Sequence, residues 1–204
     1  MGKRVFDLVV AGLAMLLLSP LLFAIAAAIK LDSPGPVFFR QERVGRGGAP
    51  FRIHKFRTMV HAPQVEGPLL TVGNDARITR VGACLRRSKL DELAQLIDVL
   101  QGTMSLVGPR PEVPRYVALY PRELREKVLS VRPGITDPVS IAYRDEGEQL
   151  ARAADPEREY IERIMPLKLQ HAARYAEHAT LASDIGVLWR TLRLIVARTS
   201  GAAR

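Results

Sequence analysis

The sequence of 204 residues has a single cysteine, Cys84, which excludes a framework of internal disulfide bonds. We expect this thiol to be buried as a small apolar side chain. Aromatic residues make up only 6% of the chain, and they are not interleaved with basic residues in the manner of RNA-binding modules. The four histidines lack the spacing of a zinc site, so we expect them in solvated helices or loops.

Acidic residues are also scarce relative to basic ones. The chain has 21 Asp and Glu against 30 Lys and Arg, which gives a net charge of +9. A surplus of this size indicates an anionic partner, and composition alone leaves nucleic acid, anionic lipid and a phosphorylated substrate as candidates. The length suits one compact domain with an appendage.

One long apolar segment occupies the N-terminus. Residues 8–29 carry no charge, and as a helix they would be roughly 33 Å long, enough to cross the core of a bilayer. A cleaved signal peptide fits poorly, because the segment is too long and no small-residue cleavage site follows it. Basic residues flank both ends, and the positive-inside rule therefore keeps both flanks cytoplasmic. These residues are Lys3 and Arg4 before the segment, and Lys30, Arg40, Arg43 and Arg46 after it.

Ser19 and Pro20 lie in the middle of this apolar segment. Pro20 cannot donate a hydrogen bond to the carbonyl of Leu16, so we expect the helix to bend or break there. The hydroxyl of Ser19 could satisfy a backbone group that is freed in lipid. Together with the flanking charges, this favours a re-entrant helix that enters and leaves by the same face. An ordinary membrane crossing is the alternative.

The remainder of the chain predicts an α+β fold. We divide the protein into a membrane helix, residues 1–32, and a cytoplasmic catalytic domain, residues 33–204. Short strands at residues 37–39 and 51–56, joined by a glycine-rich turn, form a hairpin, and residues 64–74 form a loop. Apolar periodicity predicts helices at residues 90–100 (ending before Gly102), 121–131, 156–177 and 184–197. The last has an apolar stripe that includes Trp189 and suits either the core or an anionic membrane surface.

The segment from Ser88 to Glu92 concentrates the chemistry. One interpretation is purely structural: Ser88 caps a helix and Asp91 sits in its first turn. The same geometry also suits catalysis, because a helix N-terminus keeps a carboxylate ionised and attracts phosphate. Asp91 and Glu92, beside Arg86 and Lys89, could hold Mg²⁺ and a diphosphate. An ionised Asp91 could then attack phosphorus directly.

Arg110 stands between two prolines, Pro109 and Pro111. The prolines fix the backbone on both sides, so the guanidinium is aimed in advance. A rigid arginine suits bidentate contacts with phosphate. An ordinary proline-rich turn would have the same sequence.

In combination these motifs are similar to those of the monotopic phosphoglycosyl transferases, bacterial enzymes that initiate glycoconjugate assembly on undecaprenyl phosphate. The resemblance runs from about Arg4 to Thr199, in the family's order. The matching residues are Arg4-Val5-Phe6-Asp7, Ser19-Pro20, Gln41-Glu42-Arg43-Val44-Gly45, Lys55-Phe56-Arg57-Thr58-Met59, Arg86, Leu90-Asp91-Glu92-Leu93, Met104-Ser105-Leu106-Val107-Gly108-Pro109-Arg110-Pro111, Arg132-Pro133-Gly134-Ile135-Thr136 and Asp184-Ile185.

The resemblance implies an enzyme that moves a phospho-sugar from a UDP-sugar to undecaprenyl phosphate and releases UMP. Asp91 matches the nucleophile and Mg²⁺ ligand, and Glu92 matches a second acid that either positions groups or removes a proton. The matching substrate-binding residues are Lys55, Arg57, Arg86, Arg110 and Arg144. The implied place is the cytoplasmic face of the bacterial inner membrane, in contact with membrane lipids. We expect no nucleic-acid partner, and a homodimer is left open.

Two regions depart from the family pattern. Residues 137–144 keep Arg144 but lack the tryptophan that many members have there, and residues 170–175 lack an acid before paired aromatics. The identity of the sugar is therefore not predicted. Two rival functions follow from the residues: a membrane-peripheral protein that binds anionic lipid or nucleic acid, and an enzyme that transfers the sugar alone and releases UDP.

Overall fold

A computed structural model describes residues 2–61, 75–139 and 146–201. The first half contains α1 (Gly2–Asp32), the strands β1 (Phe38–Val44) and β2 (Pro50–Phe56), α2 (Arg80–Ser88), a 3₁₀ helix (Leu90–Gln95) and α3 (Leu96–Gln101). The second half contains β3 (Ser105–Val107), α4 (Pro114–Val117), α5 (Arg122–Val128), β4 (Gly134–Thr136), α6 (Glu146–Arg152), α7 (Pro156–Glu159), a π-helical turn (Tyr160–Ile164), α8 (Met165–His178) and α9 (Leu181–Gly201). The predicted loop at residues 64–74 and the predicted site residue Arg144 lie outside the described residues.

The N-terminal helix α1 is long and apolar enough to cross a membrane. It is helical from Gly2 to Asp32, through Pro20, so no break interrupts it. Pro20 leaves the Leu16 carbonyl without its usual backbone donor. The hydroxyl of Ser19 donates to that carbonyl at 2.8 Å, which confirms the predicted compensation at this position.

Both halves of α1 pack on the same body of the protein. In the first half, Ala11 is fully buried against a core that includes Val99 and Met104. In the second half, Ile25 and Ile29 are buried with Phe56 and Leu85, among others. The opposite side of the helix exposes large apolar side chains: Val5, Val9, Leu13, Leu16, Leu17, Phe23 and Leu31. One face of α1 therefore belongs to the domain, and the other is left for a non-aqueous environment.

Polar contacts also fix the N-terminal end of α1. Lys3 Nζ pairs with the carboxylate of Asp184 at the start of α9 and donates to the Val107 carbonyl of β3. Asp7 is buried and accepts from the Ser105 hydroxyl at 2.8 Å. Tyr175 donates to Asp184 as well, at 2.6 Å. The two buried carboxylates, Asp7 and Asp184, therefore each accept hydrogen bonds, as burial requires.

The predicted hairpin is confirmed and the fold is α+β. Strands β1 and β2 pair antiparallel from Phe38 opposite Phe56 to Val44 opposite Pro50. A second, parallel pair of three-residue strands, β3 and β4, was not predicted. At its edge Gly108 lies so close to Gly134 that a Cβ on Gly134 would come within 2.0 Å of the Gly108 nitrogen.

The predicted helices at 121–131, 156–177 and 184–197 are confirmed, although the second is divided by the π turn. The two interpretations of the last helix each describe one side of α9. Val187 is buried in the core, with Leu188 packed beside it. Ile185, Trp189 and Leu192 are 49–57% exposed, which leaves an apolar stripe facing outward.

Three local predictions were wrong. Ser88 is the last residue of α2 and donates to the Cys84 carbonyl at 2.8 Å, so it caps no following helix. Cys84 itself is exposed, because it lies on the outer side of α2. His54, which was expected in solvent, is buried, and its Nδ1 lies 2.7 Å from Asp98 Oδ1. The hydrogen bond to this carboxylate replaces the one that the ring would make with water.

Candidate active site

A sharp turn at Lys89 sets the direction of the acidic pair. Lys89 has φ 59° and ψ 16°, a left-handed conformation that is costly for any residue other than glycine. It ends α2 and starts the 3₁₀ helix that contains Asp91 and Glu92 in its first turn. Strained backbone of this kind is found where function requires a particular geometry. The turn brings Asp91 within the electrostatic influence of Arg86.

Asp91 is a buried carboxylate with unused bonding capacity. It is 9% exposed, and its buried Oδ1 has no hydrogen-bond partner among the described residues. Burial raises the pKa of Asp91, as does the charge of Glu92, while Lys55, Lys89 and Arg86 oppose this. A buried acceptor without a donor is costly, so this oxygen is suited to receive a cation or an electrophile.

Glu92, by contrast, is fully engaged by two cations. Its Oε1 accepts from Lys55 Nζ at 3.0 Å and from Arg110 Nη2 at 2.5 Å, and its Oε2 accepts from Arg110 Nη1 at 3.3 Å. Burial alone would raise its pKa, but Arg110 and Lys55 outweigh burial and hold the pKa of Glu92 well below its usual range. A carboxylate in this state is a weak base. The geometry therefore favours positioning over proton removal for Glu92.

Glu92 acts in the same direction on both cations, but burial outweighs it at Lys55 and not at Arg110. Burial lowers the pKa of Lys55, although Glu92 opposes this. Glu92 raises the pKa of Arg110, although burial opposes this. The cluster thus places two positive side chains and one negative one beside Asp91, with a net positive charge available to an anionic substrate.

The segment that carries Arg110 is held from two sides. On one side Gly108 donates to Thr136 at 3.1 Å, and the Pro109 carbonyl accepts from Gly134 at 3.0 Å. On the other side Arg43 of β1 donates to the Pro111 carbonyl at 3.0 Å. Hydrogen bonds thus hold the segment on both sides of Arg110, and the guanidinium contacts Glu92.

Arg86 reaches the site from α2. Its Nε donates to the hydroxyl of Thr58 at 2.8 Å, and its charge acts on Asp91. Gly82, one turn earlier on the same face of α2, lies directly against Thr58: a Cβ there would sit 2.0 Å from the Thr58 carbonyl oxygen. Only glycine allows this approach, so Gly82 sets how near Arg86 comes to the acids.

Arg57 is placed elsewhere. It is 5% exposed, and it donates to the carbonyls of Ser33 at 2.7 Å and Pro34 at 2.5 Å. Strand β2 ends at Phe56, and Arg57 contacts the end of α1 instead. The structure brings Lys55, Arg86, Arg110, Asp91 and Glu92 together, and it joins Arg57 to the end of the membrane helix.

The described residues of the site offer few side-chain ligands for a metal ion. The described parts of the chain contain no cluster of three His, Cys, Asp or Glu side chains. Both oxygens of Glu92 are engaged by cations, whereas Oδ1 of Asp91 has no hydrogen-bond donor within residues 2–61, 75–139 and 146–201. Mg²⁺ commonly binds one or two carboxylates and completes its shell with substrate phosphates and water. The unpartnered Oδ1 of Asp91 fits that arrangement.

The prediction from sequence missed three residues that build the site: Arg43, Thr58 and Gly82. Two of them lie within motifs that had been noticed, Gln41-Glu42-Arg43-Val44-Gly45 and Lys55-Phe56-Arg57-Thr58-Met59. Their partners are far away in the sequence, and a motif alone does not reveal them. Gly82 had no local signal, because only the approach of Thr58 gives it a role.

Comparison with known proteins shows to which family the chain belongs. The family model for bacterial sugar transferases matches residues 1–198. This chain belongs to the bacterial sugar transferase family. The site described above lies entirely inside the matched range.

Several curated proteins of this family are similar to the chain. A UDP-N-acetylgalactosamine-undecaprenyl-phosphate N-acetylgalactosaminephosphotransferase of Aeromonas hydrophila is 38% identical over 196 residues, which cover 95% of this chain and 43% of that protein. UDP-glucose:undecaprenyl-phosphate glucose-1-phosphate transferases of Escherichia coli and Caulobacter vibrioides are 46% and 49% identical over 154 and 138 residues. These cover 74% and 66% of this chain, and 33% and 51% of those proteins. The chain thus spans a third to a half of the length of these relatives.

Proposed function

We propose that this chain transfers a phospho-sugar from a UDP-sugar to undecaprenyl phosphate and releases UMP. The observation that carries the proposal is the contrast between the two acids. Asp91 has a buried oxygen that no described residue contacts by a hydrogen bond, whereas both oxygens of Glu92 are held by Lys55 and Arg110. One acid is free to react, and the other organises cations that suit a diphosphate.

In the first step an oxygen of Asp91 attacks the phosphorus that carries the sugar. The new bond is an acyl phosphate, and the bond from that phosphorus to the bridging oxygen of the diphosphate breaks. UMP leaves with the bonding electrons. Arg110, Lys55 and Arg86 are placed to balance the charge of the phosphates. Mg²⁺, held by Asp91 and the donor's phosphates, would supply further charge neutralisation.

In the second step a phosphate oxygen of undecaprenyl phosphate attacks the same phosphorus. The acyl-phosphate bond breaks, the lipid diphosphate-sugar forms, and Asp91 is regenerated as a carboxylate. No proton has to be removed from a phosphate acceptor that is already ionised. This accords with the low pKa of Glu92, which makes that residue a positioning group in our proposal.

We also propose that the protein lies at the inner membrane with its site on the cytoplasmic face, the side favoured by the basic residues on both flanks of the apolar segment. Both halves of α1 pack on the domain that carries the site, so both of its flanks belong on one side of a bilayer. Its exposed apolar face would then lie in lipid, as a re-entrant or in-plane helix does. The outward apolar stripe of α9 includes Trp189, and Arg193 Cζ lies over its ring, 5.1 Å from the ring centroid. A tryptophan beside an arginine suits the headgroup region of a bilayer.

The nucleotide that is released tests the proposal. The purified chain in lipid nanodiscs is incubated with Mg²⁺, undecaprenyl phosphate and either UDP-glucose or UDP-N-acetylgalactosamine, the donors named for the relatives. We expect UMP with at least one donor. Release of UDP would indicate transfer of the sugar alone, and absence of any nucleotide product with both donors would favour a lipid-binding protein. Asp91→Asn serves as the inactive control.

A further inference from the structure

The start of α2 is capped by a residue of the membrane helix. The first turn of α2 contains no acidic residue, and its own N-cap, Thr79, accepts from Gly82 N at 3.0 Å. The amide of Val81 is met instead by Asp32 Oδ2, at 3.0 Å. Asp32 is the last residue of α1. A carboxylate at a helix N-terminus satisfies a free amide and complements the helix dipole.

The end of α1 is itself fixed in place. Arg57 donates to the carbonyl of Ile29 at 3.4 Å, in the last turn of α1, and to the Ser33 hydroxyl at 3.0 Å, besides its bonds to the carbonyls of Ser33 and Pro34. A buried arginine with several carbonyl acceptors is an effective C-terminal cap. Asp32 therefore projects from a rigid point, and the contact with Val81 joins two helices that are 49 residues apart in the chain.

The position of α2 decides the position of Arg86. Gly82 and Arg86 lie one turn apart on the face of α2 that contacts Thr58. The left-handed turn at Lys89 then leads directly to Asp91. Because α2 is only nine residues long, a shift at its first turn reaches Arg86 with little room for relaxation.

We propose that Asp32 is a positioning residue for the transfer reaction: it fixes the end of the membrane helix to the start of α2 and thereby holds Arg86 beside Asp91. The inference rests on the proposed function, in which Arg86 balances charge on the donor diphosphate. It makes the membrane helix part of the active-site framework as well as an anchor.

A double-mutant cycle on the full chain in nanodiscs tests this. Asp32→Ala should lower kcat/KM for the UDP-sugar about 10- to 100-fold, as displacement of a charge-balancing group does. In the background of Arg86→Ala the same change should cost less than about twofold, because Asp32 acts through Arg86. Asp32→Asn keeps an acceptor oxygen for Val81 and should retain more activity than the alanine variant.

Asp155→Ala is the matched control. Asp155 is the adjacent N-cap of α7 and accepts from Arg158 N at 3.0 Å, but α7 carries no residue of the site. We expect its kcat/KM within about twofold of wild type, as for a surface cap remote from the chemistry. Equal losses in Asp32→Ala and Asp155→Ala, or losses in Asp32→Ala and Arg86→Ala that multiply, would overturn the proposal.

Hydrogen exchange separates this proposal from the proposed function. Amides of residues 80–88 should exchange faster in Asp32→Ala, whereas exchange in α7 should be unchanged. Unchanged exchange at residues 80–88 would contradict the positioning role whatever nucleotide the enzyme releases. If wild type released no UMP, the proposed function would fail, while the exchange measurement would still decide whether Asp32 holds α2.

Discussion

Replacing Glu92 with glutamine removes the negative charge at the centre of the site while keeping the side chain's size. Lys55 and Arg110 would then face each other without the carboxylate that now accepts from both. Breaking a buried ion pair by removing one partner typically costs about 3–5 kcal/mol. The three side chains keep 14–34% exposure, so water screens part of this, and we expect a loss of about 2–3 kcal/mol.

That loss has a measurable thermal consequence. For a chain of this size, about 2–4 °C of Tm accompanies each kcal/mol, so the Tm of Glu92→Gln should fall by about 4–12 °C in detergent. Turnover should fall as well, because Lys55 and Arg110 are no longer oriented. UDP-sugar should raise the Tm of the variant more than that of wild type, since its diphosphate replaces the missing negative charge.

Glu162→Gln is the matched control for this prediction. Glu162 accepts from Arg158 at 2.9 Å, but both side chains are more than half exposed, and such pairs contribute roughly 0.3–0.5 kcal/mol. Its Tm should therefore stay close to that of wild type. If Glu92→Gln also kept the wild-type Tm, or if UDP-sugar stabilised both forms equally, the charge balance described for the site would be wrong.

Three further changes test how the site and the anchor are held. Arg43→Lys loses the forked guanidinium that donates to the Pro111 carbonyl. Because lysine does not reproduce this geometry, kcat should fall about tenfold. The control Arg46→Lys, at the exposed hairpin tip, should keep the wild-type kcat. Gly82→Ala would place a Cβ 2.0 Å from the Thr58 carbonyl oxygen, so kcat/KM should fall about 100-fold as Arg86 moves away. Replacing Ser19 with Ala and Pro20 with Leu should favour a straight helix and expose part of the N-terminal flank to labelling from outside the cell.

Each of these changes has an outcome that contradicts it. Wild-type steady-state kinetics for Arg43→Lys would show that the hydrogen bond from Arg43 to the Pro111 carbonyl is not needed to position Arg110. A normal KM and kcat for Gly82→Ala would show that α2 can shift without consequence. For the membrane helix, cysteines introduced in both flanks are labelled in intact cells, in a Cys84→Ser background because Cys84 is exposed. If both flanks stay protected and turnover is normal, the Ser-Pro pair is incidental to topology.

Local patterns in the sequence predicted the parts of the fold that local forces determine. Gly102 ends α3 in a left-handed conformation with φ 89°, as a glycine after an apolar helical stripe indicates. The hairpin followed from two apolar stretches around a glycine-rich turn. The acidic pair and Arg110 were found because charged and rigid residues stand out in a short stretch of chain.

Long-range packing determined the rest. Strands β3 and β4 have three residues each, too few to show alternation, and they form only because Gly108 and Gly134 can touch. A capping motif at Ser88 was overridden by the left-handed turn at Lys89, which no propensity favours in a lysine. His54 is buried because Asp98, 44 residues away, compensates it.

The covalent role of Asp91 is the central claim, and intact-protein mass spectrometry tests it most directly. The purified chain is mixed with Mg²⁺ and UDP-sugar in the absence of undecaprenyl phosphate. Wild type should release about one UMP per enzyme and gain the mass of one phospho-sugar. Asp91→Asn should gain nothing and lose more than about 10³-fold in turnover. An unmodified wild-type mass alongside full turnover with acceptor, or an adduct on Asp91→Asn, would contradict the account.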